Sequence, residues 1–159
     1  MDEYESLKLD RQLCFPLYAA ARRVTGVYTP YFKPLGLTYT QYIVFMALWE
    51  RDGLCMNQLG RILYLDNGTL TPLIKKMEKA GYLTRRRDAE DERMVRVYLT
   101  DKGRALREEA KGLPAAAGAC VNFPKEKAAQ LHGLLHELLD AMSSDTQGRE
   151  SDEGQCEEV

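Results

Sequence analysis

The chain has 159 residues, 45% of them hydrophobic, which is enough for one modest core. No apolar run approaches the roughly 20 residues needed to cross a bilayer, and the acidic start Met1-Asp2-Glu3-Tyr4-Glu5 lacks the basic and apolar regions of a signal peptide. A cytoplasmic protein without a membrane partner is therefore expected. The net charge of −2 conceals a segregation: residues 51–107 hold 13 Lys/Arg and 8 Asp/Glu, a balance of +5, against −7 for the remainder. A basic module in an acidic chain suits phosphate contact, because local charge drives association and counterion release.

In chain order, residues 7–33 read as one long helix, with Leu9, Leu13, Leu17, Ala20, Val24 and Val27 at helical spacing and Pro16 as a local disturbance. Pro34-Leu35-Gly36 breaks it. Thr38 or Thr40 caps a second helix, Gln41 to Arg51, whose apolar content marks it as core. After Asp52-Gly53 comes a short amphipathic run, Met56 to Leu63. A polar turn, Asp66-Asn67-Gly68, then leads into a helix from Thr69 to Ala80, stopped by Gly81. Two strand-like pieces follow, Tyr82 to Arg87 and Met94 to Leu99, joined by the charged turn Asp88-Ala89-Glu90-Asp91-Glu92. Thr100 caps a helix reaching about Lys111. Residues 112–123 are small-residue-rich and interrupted by Pro114. Residues 125–142 form a last helix with Ala128, Leu131, Leu134, Leu135, Leu138, Leu139 and Met142 along one stripe. From Ser143 onward the chain holds six acidic residues and one basic one, and reads as a disordered tail.

A short helix, a turn, a cationic helix and a charged hairpin, in that order, make a winged helix–turn–helix. The fold class expected is mainly α with a small β-wing: a DNA-binding lobe over about 38–103, and dimerisation helices over about 7–33 and 104–142. In the second helix of the motif, Leu70, Leu73, Ile74 and Met77 face inward. That leaves Asn67, Thr69, Thr71, Pro72, Lys75, Lys76 and Lys79 for base edges and phosphates. In the wing, Arg93 is the candidate for a minor groove, with Asp91 holding its guanidinium in a bidentate pair, and Arg85-Arg86-Arg87 serve the DNA backbone. The terminal helices have no sheet to cover, so their apolar stripes suit a homodimer reading a pseudo-palindromic operator in double-stranded DNA.

The stretch from Asp91 to Gly103 resembles the wing signature DxRxxxVxLTxxG of the MarR-type winged-helix regulators. Residues Leu9 to Tyr18, with the pattern LDxQLCFxLY, and the stretch Tyr64 to Leu73 resemble the organic hydroperoxide resistance regulators within that family. The resemblance covers roughly residues 9–142. It implies a repressor whose Cys14 is oxidised by organic hydroperoxides, releasing the operator. It also implies that Tyr28 and Tyr39 hydrogen-bond the sulfur, with Tyr18 nearby. Such chemistry needs a thiolate, which surrounding donors favour, and apolar neighbours such as Phe15, Leu17 and Val24 suit an alkyl peroxide. The sulfenic acid formed is trapped by a second thiol. Cys120 is the candidate resolving residue by position, and an external low-molecular-weight thiol is the alternative. Cys55 reads as structural, and Cys156 lies in the tail.

Two other readings stay open. One is a family member released by a non-covalent phenolic or aromatic ligand; the other is a thiol-dependent peroxidase. The four scattered cysteines form no CxxC pair, which speaks against a zinc ribbon. His132 and His136 have the i, i+4 spacing that can present two imidazoles to a metal. No H-E-x-x-H accompanies them, and they are read as surface or interface residues. No cofactor or metal is expected.

Overall fold

The computed structural model describes residues 4–89, 91 and 93–143. By internal contacts the chain divides into two compact units, Met1–Cys120 and Val121–Val159.

The first unit does not begin with one long helix. Single turns of 3-10 helix at Glu5–Leu7 and Leu9–Arg11 precede α1 (Cys14–Gly26), and the short α2 (Thr29–Phe32) follows, with a further 3-10 turn at Lys33–Leu35. Pro16 explains the late start, since in a first turn its missing N–H removes no intrahelical bond. Pro30, near the start of α2, separates the two helices at the other end. Thr38, not Thr40, caps α3 (Tyr39–Glu50) in a reciprocal capping box: the Gln41 N–H donates to Thr38 Oγ1 (3.3 Å), and the Thr38 N–H donates to Gln41 Oε1 (2.9 Å). Six residues of α3 are buried, on more than one face, so it is the central helix of the lobe.

A two-residue strand, β1 (Leu54–Cys55), leads directly into α4 (Met56–Leu63). Leu65 and left-handed Tyr64 (φ 53°) form the turn of the motif, and Asp66 is the N-cap of α5 (Asn67–Lys79). The turn expected at 66–68 is therefore the start of the helix itself. The Asp66 carboxylate accepts both the backbone N–H and the hydroxyl of Thr69, each at 2.8 Å. At the far end Gly81, at φ 79°, takes a conformation that a Cβ would penalise. The Gly81 N–H donates to Glu78 O (2.9 Å) and the Tyr82 N–H to Met77 O (3.1 Å), the paired bonds of a Schellman stop.

Strands β2 (Leu83–Arg87) and β3 (Val95–Leu99) pair antiparallel, with Leu83 opposite Leu99 and Arg87 opposite Val95. β1 adds to the other edge of β3, Leu54 opposite Val97, giving the order β1-β3-β2. Thr100 caps α6 (Asp101–Ala110), its Oγ1 accepting the Gly103 N–H at 3.2 Å. The segment expected to be broken by Pro114 is instead helical as α7 (Leu113–Cys120), because the proline falls in its first turn.

One core unites the lobe. Val44, Phe45 and Leu48 of α3 meet Leu59 of α4, Leu70, Ile74 and Met77 of α5, Leu83, Val97 and Leu99 of the sheet, and Leu106 of α6. A second cluster joins Phe32, Tyr42 and Ala110, with Tyr28, Tyr39, Trp49 and Leu113 packed on it. In the second unit, α8 (Lys125–Ser143) is a single helix of 19 residues. The tail from 144 onward, with Cys156, lies outside the described residues, as do Glu90 and Glu92 of the wing. Among the described residues no helix is long and apolar enough to cross a membrane.

Candidate DNA-binding surface and thiol site

The inward stripe of α5 turns its other side outward: Asn67, Thr69, Pro72, Lys75, Lys76 and Lys79 are exposed and Thr71 half-buried. Asn67 and Thr69 occupy the first turn, at the positive dipole end that favours phosphate, where the Thr69 N–H is already taken by the Asp66 carboxylate. Thr69 has given its hydroxyl proton to Asp66, so towards a ligand it offers only an acceptor. That bond is the main reason the Asp66 carboxyl titrates below its ordinary range.

The three wing arginines have different surroundings. Arg85 Nε and Nη2 each lie 2.8 Å from Glu78 Oε2, and its backbone N–H reaches Glu78 Oε1 at 3.0 Å, so Arg85 ties the first wing strand to α5. These bonds hold the Glu78 carboxyl below its usual range. Arg86 lies over the Tyr98 ring at 5.5 Å. Arg87 is exposed at the end of β2. At the tip, Asp91 Oδ1 accepts the backbone N–H of Arg93 at 2.9 Å. The expected bidentate pair with the guanidinium is not made. The aspartate instead closes a local turn, as this side chain commonly does with an N–H two residues on, and exposed Arg93 projects from that turn.

Periodicity in the sequence missed the residues that set the wing's angle. Asp52 Oδ1 accepts the N–H of Leu99 (2.9 Å) and of Gly53 (3.0 Å), while its Oδ2 receives Arg104 Nη2 at 2.7 Å. Arg104 Nη1 also donates to Leu99 O at 2.7 Å. Arg96 bridges Asp88 and the carbonyl of Gly53. These partners lie up to 52 positions apart, beyond any local pattern. The LTxxG part of the wing signature also acquires a physical meaning. Thr100 Oγ1 donates towards Gly81 O (2.7 Å) and Tyr82 O (3.0 Å) while capping α6, so one side chain joins the stop of α5 to the start of α6. At Gly103 a Cβ would stand 2.4 Å from Tyr82 O, so a side chain is excluded there, and the Gly103 carbonyl accepts Trp49 Nε1 at 3.0 Å.

Cys14 is an exposed free thiol at the first residue of α1, the end of the helix where the backbone favours negative charge. Tyr18 stands one turn on. Its hydroxyl accepts Arg22 Nη1 at 2.9 Å and keeps its own proton for donation. Tyr28 and Tyr39 lie elsewhere, with ring centroids 5.3 Å apart, in the aromatic cluster with Phe32 and Tyr42. Burial, with the neighbouring Tyr39, raises the Tyr28 phenol above its ordinary value, so it remains a donor. Fourteen residues of mainly helical chain separate Cys14 from Tyr28, about 20 Å at 1.5 Å per residue. Within one chain the structure therefore does not bring Cys14 together with these two tyrosines. Cys120 is exposed at the last residue of α7. Cys55 is buried beside β3 and caps α4, its N–H donating to Gln58 Oε1 at 2.9 Å, a structural position.

The family described as transcriptional regulator SarA/Rot matches residues 27–110. The organic hydroperoxide resistance transcriptional regulator of Bacillus subtilis (strain 168) is 40% identical over 141 residues, covering 89% of this chain and 96% of its own. The solved structure of reduced AbfR bound to DNA is 32% identical with a TM-score of 0.72, over 88% of this chain and 98% of its own. Disulfide-formed AbfR superposes with a TM-score of 0.59 at 34% identity, over 86% and 96% of the two chains. AbfR is a protein of Staphylococcus epidermidis. With the winged-helix core, the exposed cationic face of α5 and this near full-length likeness together, the chain belongs to the MarR family of DNA-binding transcriptional regulators and is similar within it to the organic hydroperoxide resistance regulators.

Proposed function

We propose that the protein is a homodimeric repressor that leaves its operator when an organic hydroperoxide oxidises Cys14. The observation that carries this reading is the placement of the thiol: exposed, first in α1, on a helix with no buried residue of its own. Phe15 and Val24 of that helix are also exposed, and such a face gains by meeting a second copy. An antiparallel approach of two α1 helices brings Tyr28 and Tyr39 of one protomer to the Cys14 end of the other, supplying the phenol donors that one chain cannot.

In the chemical step, the Cys14 thiolate attacks one peroxide oxygen and the O–O bond breaks. The sulfur becomes a sulfenic acid, and the alkoxide leaves and takes a proton to give the alcohol. A second thiol then displaces hydroxide from the sulfenic sulfur, which departs as water when the thiol proton is counted, leaving a disulfide. Cys120 is the proposed resolving residue, with an external low-molecular-weight thiol as the substitute. A relative solved in disulfide form supports a cross-linked state. The peroxide is consumed once per signal, so the protein senses rather than turns over.

On DNA, Asn67, Thr71, Pro72 and the lysines of α5 enter a major groove. Arg93 reaches the minor groove, and Arg86 and Arg87 meet the backbone. Half-sites one helical turn apart require a fixed lobe separation, which the disulfide alters.

Fluorescence anisotropy on a duplex from the gene's upstream region tests this. Reduced wild type is expected to bind tightly and to weaken about 10–100-fold after stoichiometric cumene hydroperoxide, with recovery in dithiothreitol, while Cys14→Ser ignores the oxidant. A second reading has its own observation, an apolar cleft of about 260 Å³ bounded by Phe32, Leu37, Tyr42, Leu106 and Ala110, which suits a small aromatic ligand. Indifference of the wild type to peroxide, with release by a phenolic compound, decides for that reading.

A further inference from the structure

On α8 the rings of His132 and His136 are exposed, with centroids 4.4 Å apart and their Nε2 atoms 3.2 Å from each other. We infer that this pair is a metal-binding site, a two-imidazole chelate for a first-row divalent cation such as zinc or cobalt. The inference is independent of the thiol chemistry and of the operator.

The sequence spacing alone left the pair as surface or interface residues; the distance between the two nitrogens adds a geometric reason for a second role. Two Zn–N bonds of about 2.05 Å at a tetrahedral angle place their nitrogens about 3.3 Å apart. The observed Nε2···Nε2 separation of 3.2 Å therefore matches the bite of one ion. The helical turn between them keeps the two rings side by side, so little backbone ordering is left for an ion to impose. In the metal-free pair one Nε2–H donates to the other Nε2. Binding an ion moves that proton to Nδ1 through solvent, so both rings present a lone pair and remain neutral. Among the described residues, no group of three or more His, Cys, Asp or Glu side chains is placed to hold a metal, so the proposed site has two protein ligands and takes water in its remaining positions. Imidazole donors select zinc, cobalt, nickel or copper over magnesium or calcium.

The test is a cobalt(II) titration of the reduced full chain, followed by absorbance, with His132→Asn and His136→Asn beside the wild type. Both positions are exposed, so the variants keep the helix, which circular dichroism checks. The first equivalent is expected to give a d–d band without the near-ultraviolet thiolate-to-cobalt transition, and zinc to displace it. Each variant is expected to bind at least about tenfold more weakly, since even an outer-shell partner of a ligand is worth that much. A first equivalent that shows the thiolate transition, or variants that titrate like the wild type, would overturn the proposal and leave the pair as an ordinary hydrogen-bonded turn.

Discussion

The lobe around α3 and the helices at the two ends of the chain have comparable apolar content but opposite fates. In the lobe, Phe45, Leu59, Leu70, Ile74, Met77 and Val97 are at most 1% exposed, and the core is closed by four helices and a sheet. α1 and α8 bury no residue at all, although they carry Phe15, Val24, Leu131 and Leu134. The lobe is a finished structure and its surface is free to be cationic. In the terminal helices several large apolar side chains stay exposed in the single chain.

The most severe way to break this contrast is truncation on either side of it. Phe45→Ala is expected to lower the unfolding free energy by about 3–5 kcal/mol, read by urea denaturation. Leu134→Ser, on a residue 61% exposed, is expected to stay within about 0.5 kcal/mol for the isolated chain and to weaken self-association in sedimentation. Equal losses of stability from the two would end the contrast.

Next comes the join between lobe and wing. Gly103→Ala forces a methyl group against Tyr82 O and is expected to cost about 1–3 kcal/mol. Because Trp49, the single tryptophan, bonds the Gly103 carbonyl, its emission should shift in the same variant.

Within the basic surface, Arg87→Ala is expected to reduce the salt slope of DNA binding by about 1. Arg85→Ala should leave the slope nearly unchanged and cost about 0.5–1 kcal/mol of stability, since that guanidinium is held by Glu78. The smallest effect is one of pH. Glu78 is held below its ordinary value of 4.5 by Arg85, so its contribution is complete above the usual carboxylate range. It is lost as pH falls through the lowered native value. Acid-unfolding curves of wild type and Glu78→Gln should therefore differ near neutrality and converge in acid.

Much of the fold was legible because local chemistry and tertiary packing agree. Met56–Leu63, the inward stripe of α5, the Gly81 stop, the Thr100 cap and both wing strands follow from periodicity and turn residues that the packed structure also needs. Disagreement arose where a local rule admits two outcomes. Pro16 and Pro114 read as interruptions, yet each lies in a first turn, where a missing N–H has no cost. Asp66 read as part of a turn and serves as the N-cap of a helix that begins at Asn67, two residues earlier than expected. β1, with two residues, is too short for any alternation to register and exists only because β3 offers it an edge.

The sequence by itself determined the winged-helix order of elements, the cationic face of α5 and the presence of a cysteine early in the chain. Each of these is written in residues within a few positions of one another. Only the tertiary structure decided that Asp52 and Arg104 fix the root of the wing, that Arg85 is bound to Glu78, and that Tyr28 and Tyr39 pack into one aromatic cluster with Phe32 and Tyr42. Such facts depend on where distant segments meet, and that follows from packing the whole core, which no local window of sequence contains.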